Sequence, residues 1–104
     1  METLKLPDVI MAILACRSRF PQAASAALIR EREDEDVFVY LVLLDNKRQP
    51  IYVEPGTITA AMYVTRHLGE DLVAAFGGRN AVVLTLGPAI RRGRPGRSRP
   101  ASRG

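Results

Sequence analysis

Val37-Phe38-Val39-Tyr40-Leu41-Val42-Leu43-Leu44 is an unbroken apolar octet with β-branched and aromatic residues concentrated in its first six positions. It is too short for a helix of ordinary length and lacks helical alternation, so it reads as a central strand flanked on both sides. Downstream, Asp45-Asn46-Lys47-Arg48-Gln49 is a polar, turn-rich interval of hairpin length, and Pro50 to Glu54 returns as a second strand. Pro50 suits a strand's first residue or an edge. Pro55-Gly56 ends that strand, and Thr57 caps a long helix whose apolar stripe runs Ile58, Ala61, Met62, Thr65, Leu68, Leu72, Ala75 and Phe76. Gly69 inside that helix costs about 1 kcal/mol relative to alanine and signals a close backbone neighbour, while Gly77-Gly78 supply the stop. Ala81 to Leu86 forms a third strand, which closes at Gly87-Pro88.

Upstream of the octet, Leu6, Val9, Ile10, Ile13 and Leu14 fall at helical spacing. Pro7 suits a first turn and Asp8 the positive end of the dipole, so a helix over about residues 7–18 is expected. Pro21 reopens helical structure through Ala23, Ala24, Ala26, Ala27 and Leu28, whose small face should pack closely on a neighbour. The expected architecture is therefore α+β in the order αα-ββ-α-β. It has three helices and a small three-stranded antiparallel or mixed sheet of spatial order 2-1-3, with the octet in the middle. A three-stranded sheet leaves two open edges, and a homodimer formed by edge pairing or by the exposed sheet face follows as an expectation.

The chain has 104 residues, 47% apolar and 25% charged, which leaves room for one core and excludes wholesale disorder. Residues 1–88 are expected as a single domain and residues 89–104 as a disordered Arg/Gly/Pro-rich tail. No stretch approaches the roughly 18 uninterrupted apolar residues of a membrane span. The net charge of +4 is unevenly placed. Residues 91–104 hold six arginines and no acid, and the remaining ninety carry nine bases against eleven acids, a net −2. Within the body the acids gather at Glu31, Glu33, Asp34, Glu35 and Asp36, read as a solvated helix end or as an internal docking surface for the arginine tail.

Catalytic chemistry is not indicated, and the chain is read as a non-enzyme. His67 is the only histidine and is placed on the polar side of the long helix beside Asp71, with no nucleophile in reach. Glu70 and Asp71 are adjacent, so on a helix they point about 100° apart and cannot share an acid and base task. One histidine and one cysteine do not furnish a zinc site, so no metal and no cofactor are expected. Gly77-Gly78-Arg79-Asn80 follows a helix, where the dipole has the wrong sign for a phosphate. Cys16 is alone and forms no disulfide within the chain, which suits a cytoplasmic location, or the nucleoid or nucleus when DNA is bound. Ile13-Leu14-Ala15-Cys16 has the look of a lipid-attachment box, but Glu2, Pro7 and Asp8 spoil the basic leader and the apolar run it needs.

The tail contains Arg91-Arg92-Gly93-Arg94-Pro95-Gly96-Arg97. Over these seven residues the sequence resembles the AT-hook, a short DNA-binding motif. A narrow A·T minor groove concentrates negative potential, glycine lets the backbone lie against its floor, and an exocyclic amine obstructs the same path in G·C pairs. The resemblance implies that Arg92 and Arg94 enter the groove, that Gly93 contacts its floor and that Pro95 sets the direction of the chain. Arg91 and Arg97 would then touch phosphates. This copy lacks a proline before the core and a dense basic cluster after it, which implies weak binding. Two functions follow: an accessory DNA-binding or regulatory protein that reaches A·T-rich DNA through the tail, or a protein-interaction module whose sheet or Met62 and Tyr63 region docks a partner while the tail only solubilises. The second would show an exposed apolar patch of several hundred square ångströms.

Overall fold

The computed structural model of the chain describes residues 2–87. Its elements follow the order β1 (Thr3–Leu4), α1 (Leu6–Arg19), β2 (Ser25–Glu33), β3 (Asp36–Leu44), β4 (Thr59–Thr65), β5 (His67–Leu68), α2 (Glu70–Phe76) and β6 (Ala81–Thr85). Strands β4, β3, β2 and β6 lie side by side in that order in one antiparallel sheet, and β1 pairs with β5 in a short parallel ladder. The architecture is α+β, as expected, with four main strands and two helices rather than three of each.

The octet lies in one of the sheet's two interior strands, β3, flanked by β2 and β4, as its apolarity required. The segment expected as a second helix is instead β2. Alanine favours helix in isolation, but an interior β3 needs a hydrogen-bonded neighbour on each side, and tertiary pairing overrides a propensity of a few tenths of a kcal/mol per residue. The alternation is also present: Ala26 and Leu28 are buried while Ile29, Glu31 and Glu33 are exposed. The acid run is accordingly the tip of the β2–β3 hairpin and not a helix end. Glu33 pairs with Asp36 across the two-residue loop Asp34-Glu35, and Asp34 takes the positive φ of 57° that such tight hairpins use.

The expected second strand, Pro50–Glu54, is a loop held by isolated bridges from Pro50 to Leu44 and from Glu54 to Thr57. Prolines at both ends deprive it of donors for a ladder. Ile51 still donates to the Leu43 carbonyl and buries its side chain. The preceding turn is as read, since the Asp45 carboxylate accepts the N–H groups of Lys47 and Gln49. The long helix expected over 57–76 divides into β4, β5 and the seven-residue α2. Thr59, Tyr63, Val64 and Thr65 prefer a pleated surface, and Ala60 is the extra residue of a bulge opposite the Leu41/Val42 step. Gly69 therefore precedes a helix rather than interrupting one. A Cβ there would lie 3.0 Å from the Asp71 carboxylate and 3.1 Å from the Lys5 side chain, so the crowding at Gly69 comes from side chains rather than from the neighbouring backbone expected, whose nearest atom, the Leu4 carbonyl oxygen, is 3.5 Å away.

Both helices cover one face of the sheet. Val9 and Ile13 of α1 and Leu72 and Phe76 of α2 join Ala26, Leu28, Val37, Val39, Leu41 and Leu43 in a single core. Helix α1 begins with Asp8 accepting the Lys5 N–H at 2.9 Å, and Asp71 accepts the Leu6 N–H at 3.2 Å, which ties the starts of the two helices together. Strand β6 was expected beside the octet. It pairs instead with β2, antiparallel, because the place beside β3 is taken by β2. No helix among the described residues is long and apolar enough to cross a membrane.

Candidate interaction surface

In a four-stranded sheet with helices on one face, alternate side chains of every strand point to the other face. Here the register sets Met62, Tyr40, Ile29 and Ala81 in one row across the sheet. Thr59, Val42, Ala27 and Val83 form the row on one side of it, and Val64, Phe38 and Glu31 the row on the other. This outer face is closed at one end, where Val42 is buried and Ala27 and Thr59 are half-buried, and is exposed chiefly around Met62, Val64, Ile29 and Val83. Met62 is 54% exposed, Val83 44% and Ile29 40%, while Phe38 and Tyr40 are half-buried and stack with ring centroids 6.5 Å apart. With strands about 4.8 Å apart and a rise of about 3.3 Å per residue, the patch measures roughly 20 by 17 Å.

Charge divides along the strand direction. At the hairpin tip stand Glu31, Glu33, Asp34, Glu35 and Asp36, and among the described residues only Arg66 bridges to two of them, at 3.4 Å from Glu35 and 3.6 Å from Asp36. At the other end of β3 the turn carries Lys47 and Arg48. The Tyr40 hydroxyl lies 3.4 Å from Glu31, and its pKa is raised above 10.0 by lost hydration first and by the Glu31 carboxylate second. Acidic residues thus gather beyond one end of the apolar rows, and the Lys47-Arg48 turn lies beyond the other end of β3.

The remaining sequence-derived candidates fall away from this surface. His67 is exposed in β5, 4.0 Å from Glu2, so it sits on no helix and its neighbour is not Asp71. Gly77 and Gly78 follow α2 with positive φ of 59° and 84°, as a helix stop requires. Cys16 is half-buried in α1. No group of three or more metal-ligating side chains occurs among the described residues. Arg91, Arg92, Gly93, Arg94, Pro95 and Arg97 lie outside the described residues. Sequence reasoning missed a notch of about 310 Å³ where β2 runs on past the start of β6, lined by Arg30, Arg32, Val37, Leu68 and Asn80. The Arg30 guanidinium covers the Phe76 ring at 4.7 Å there. Its signal was the i, i+2 spacing of the two arginines, legible only once residues 25–33 are known to be a strand.

Comparison of the chain with family models, with curated proteins and with solved structures finds no match.

Proposed function

We propose that the domain is a self-associating interaction module whose dimer brings two arginine-bearing C-terminal segments to A·T-rich DNA as accessory contacts. The observation that carries the reading is the cluster of exposed apolar side chains, Met62, Val64, Ile29 and Val83, on the sheet face opposite the helices. Two sheets stack face to face with their strands within about 30° of a common line. A twofold axis in the sheet plane and perpendicular to the strands puts the acidic hairpin tip of one copy over the Lys47-Arg48 turn of the other. The face is therefore complementary to itself in charge as well as apolar at its centre. The patch alone is smaller than the roughly 800 Å² per partner of a standard interface, so pairing in the micromolar range is expected.

Dimerisation supplies what one incomplete AT-hook-like segment lacks. Six arginines on phosphates give a slope of log affinity against log salt of about −5, so a single segment loses most of its attraction by physiological salt. A second segment on the same particle raises the effective concentration for the next contact. The net −2 of residues 1–90 leaves the DNA contact to the segment beyond them.

The test compares the full chain with a chain ending at Ala89, on A·T-rich and G·C-rich duplexes across a salt series, at protein concentrations above and below the dimer midpoint. Salt-sensitive binding that prefers A·T pairs, needs the tail and tightens with dimerisation is expected. Equal behaviour of the two chains removes DNA from the reading and leaves an interaction module alone.

A further inference from the structure

Among the described residues, strand β6 is an edge of the sheet and its outer side is open. The Leu86 N–H donates to Ala24 and the Arg30 N–H to Asn80, so the even-numbered residues of β6 face β2. The N–H and C=O groups of Ala81, Val83 and Thr85 consequently point away from the sheet, and no described residue pairs with them. Natural edges are blunted by charge, proline or a bulge, yet Ala81-Val82-Val83-Leu84-Thr85 has no such device.

Beside this edge runs a groove of about 320 Å³ between α1 and the end of β6. Ile10, Leu14, Leu84 and Leu86 line it, and Ile10 and Leu14 remain 42% and 56% exposed, an unusual outlay of apolar surface on a helix whose Val9 and Ile13 fill the core. Arg17 forms one end. Its Nη2 donates to the Gly87 carbonyl, while its Nε is buried with no hydrogen-bond partner among the described residues. A guanidinium with an N–H left without an acceptor favours an incoming one, a carboxylate best of all.

We propose that this groove receives an extended peptide of a partner protein as a fifth strand on β6, running antiparallel. The peptide's alternate apolar side chains lie against Ile10 and Leu14, and an acidic side chain at its start is received by Arg17. Backbone pairing supplies affinity and the groove with Arg17 supplies specificity, the division of labour of strand-addition recognition. The site is distinct from the outer face and does not depend on dimerisation there.

The test uses the full chain carrying Met62→Glu, which keeps sheet-face pairing out, and an acetylated peptide of one Asp followed by alternating Val and Thr, about seven residues in all. A second peptide replaces the Asp by Asn. Amide NMR and titration calorimetry read the binding. Expected are peptide-dependent shifts and slowed hydrogen exchange at the amides of Ala81, Val83 and Thr85, with the Asp peptide about tenfold tighter than the Asn peptide. Arg17→Gln should abolish that tenfold preference while leaving the Asn peptide within about twofold. The proposal is overturned by absence of binding up to about 1 mM, or by equal affinity of the two peptides for protein with Arg17 intact. It is equally overturned if the three amides are already protected without peptide, whether at every protein concentration, which assigns the edge to this chain's own residues, or increasingly with concentration, which assigns it to a second copy.

Discussion

Met62→Glu is the sharpest probe of the outer face. Met62 is 54% exposed and sits in the central row beside Tyr40. Fully burying a methionine side chain yields about 1.5–3 kcal/mol, so the half still in water has about 1 kcal/mol left to contribute on pairing. Twofold symmetry counts this twice, and the introduced carboxylate adds the desolvation of two charges in an apolar contact. A loss of at least about 3 kcal/mol, more than a hundredfold in the dimer constant, follows. The same change at a half-exposed position costs the monomer about 0.5 kcal/mol or less, a few degrees in melting temperature. Sedimentation equilibrium over about 1 μM to 1 mM reads the mass. The wild-type chain should pass from monomer to dimer within that range and Met62→Glu should stay monomeric throughout. A wild-type chain that is monomeric at 1 mM, or a Met62→Glu dimer of unchanged constant, refutes the reasoning.

Other consequences are more local. Leu28→Ala removes a fully buried side chain from the centre of the core and should cost about 2–5 kcal/mol, read as a lower midpoint in a urea unfolding curve with an unchanged slope. Gly77→Ala forces a Cβ onto φ of 59° with the nearest foreign atom 3.8 Å away, so conformational strain alone should destabilise by about 1 kcal/mol in the same assay. The Asp45 pKa is held below 3.8 chiefly by the Gln49 and Lys47 N–H groups, so its contribution to stability is complete above pH 3.8 and disappears as pH falls through the lowered value. The stability gap between wild type and Asp45→Asn should close over that acid window, as seen in thermal melts at successive pH values; a gap that persists below it contradicts the assignment. Arg66→Gln breaks two exposed ion pairs at the hairpin tip and should shift stability by less than about 1 kcal/mol, an effect that shrinks further in high salt.

Elements governed by a strong local signal were legible from the residues alone. Pro7 and Asp8 place the start of α1 within a residue of its observed position, eight contiguous apolar residues announce an interior strand, and Gly77-Gly78 end the helix before β6. The misreadings share one cause. Residues 21–28 and 57–68 are built of alanine, threonine and other residues whose apolar positions fit a period of 3.6 almost as well as a period of 2, and their local preferences differ by only tenths of a kcal/mol. The Pro50–Glu54 loop was mistaken for a strand because it is apolar and follows a turn, although its prolines weaken any ladder.

The candidate surface was half visible. A sheet with helices on one face and open edges followed from the element count; of the Met62 and Tyr63 region expected to dock a partner, Met62 lies on the outer face while Tyr63 packs against the core, and the row joining Met62 to Tyr40, Ile29 and Ala81 depends on register across three strand pairs. Arg17 carries no mark in the sequence; only in the fold does it meet Gly87, seventy residues later, with its Nε buried beside an apolar groove. By itself the sequence determined the interior strand, the first helix, the turns, the single-core size and the segregation of positive charge to the last fourteen residues, because these rest on side chains close together in the chain. Which strands flank the octet, which face stays bare and which polar atom is left without a partner were decided by tertiary structure alone. Each is a matter of pairing between segments far apart in sequence, where the need to satisfy every buried backbone group outweighs local preference.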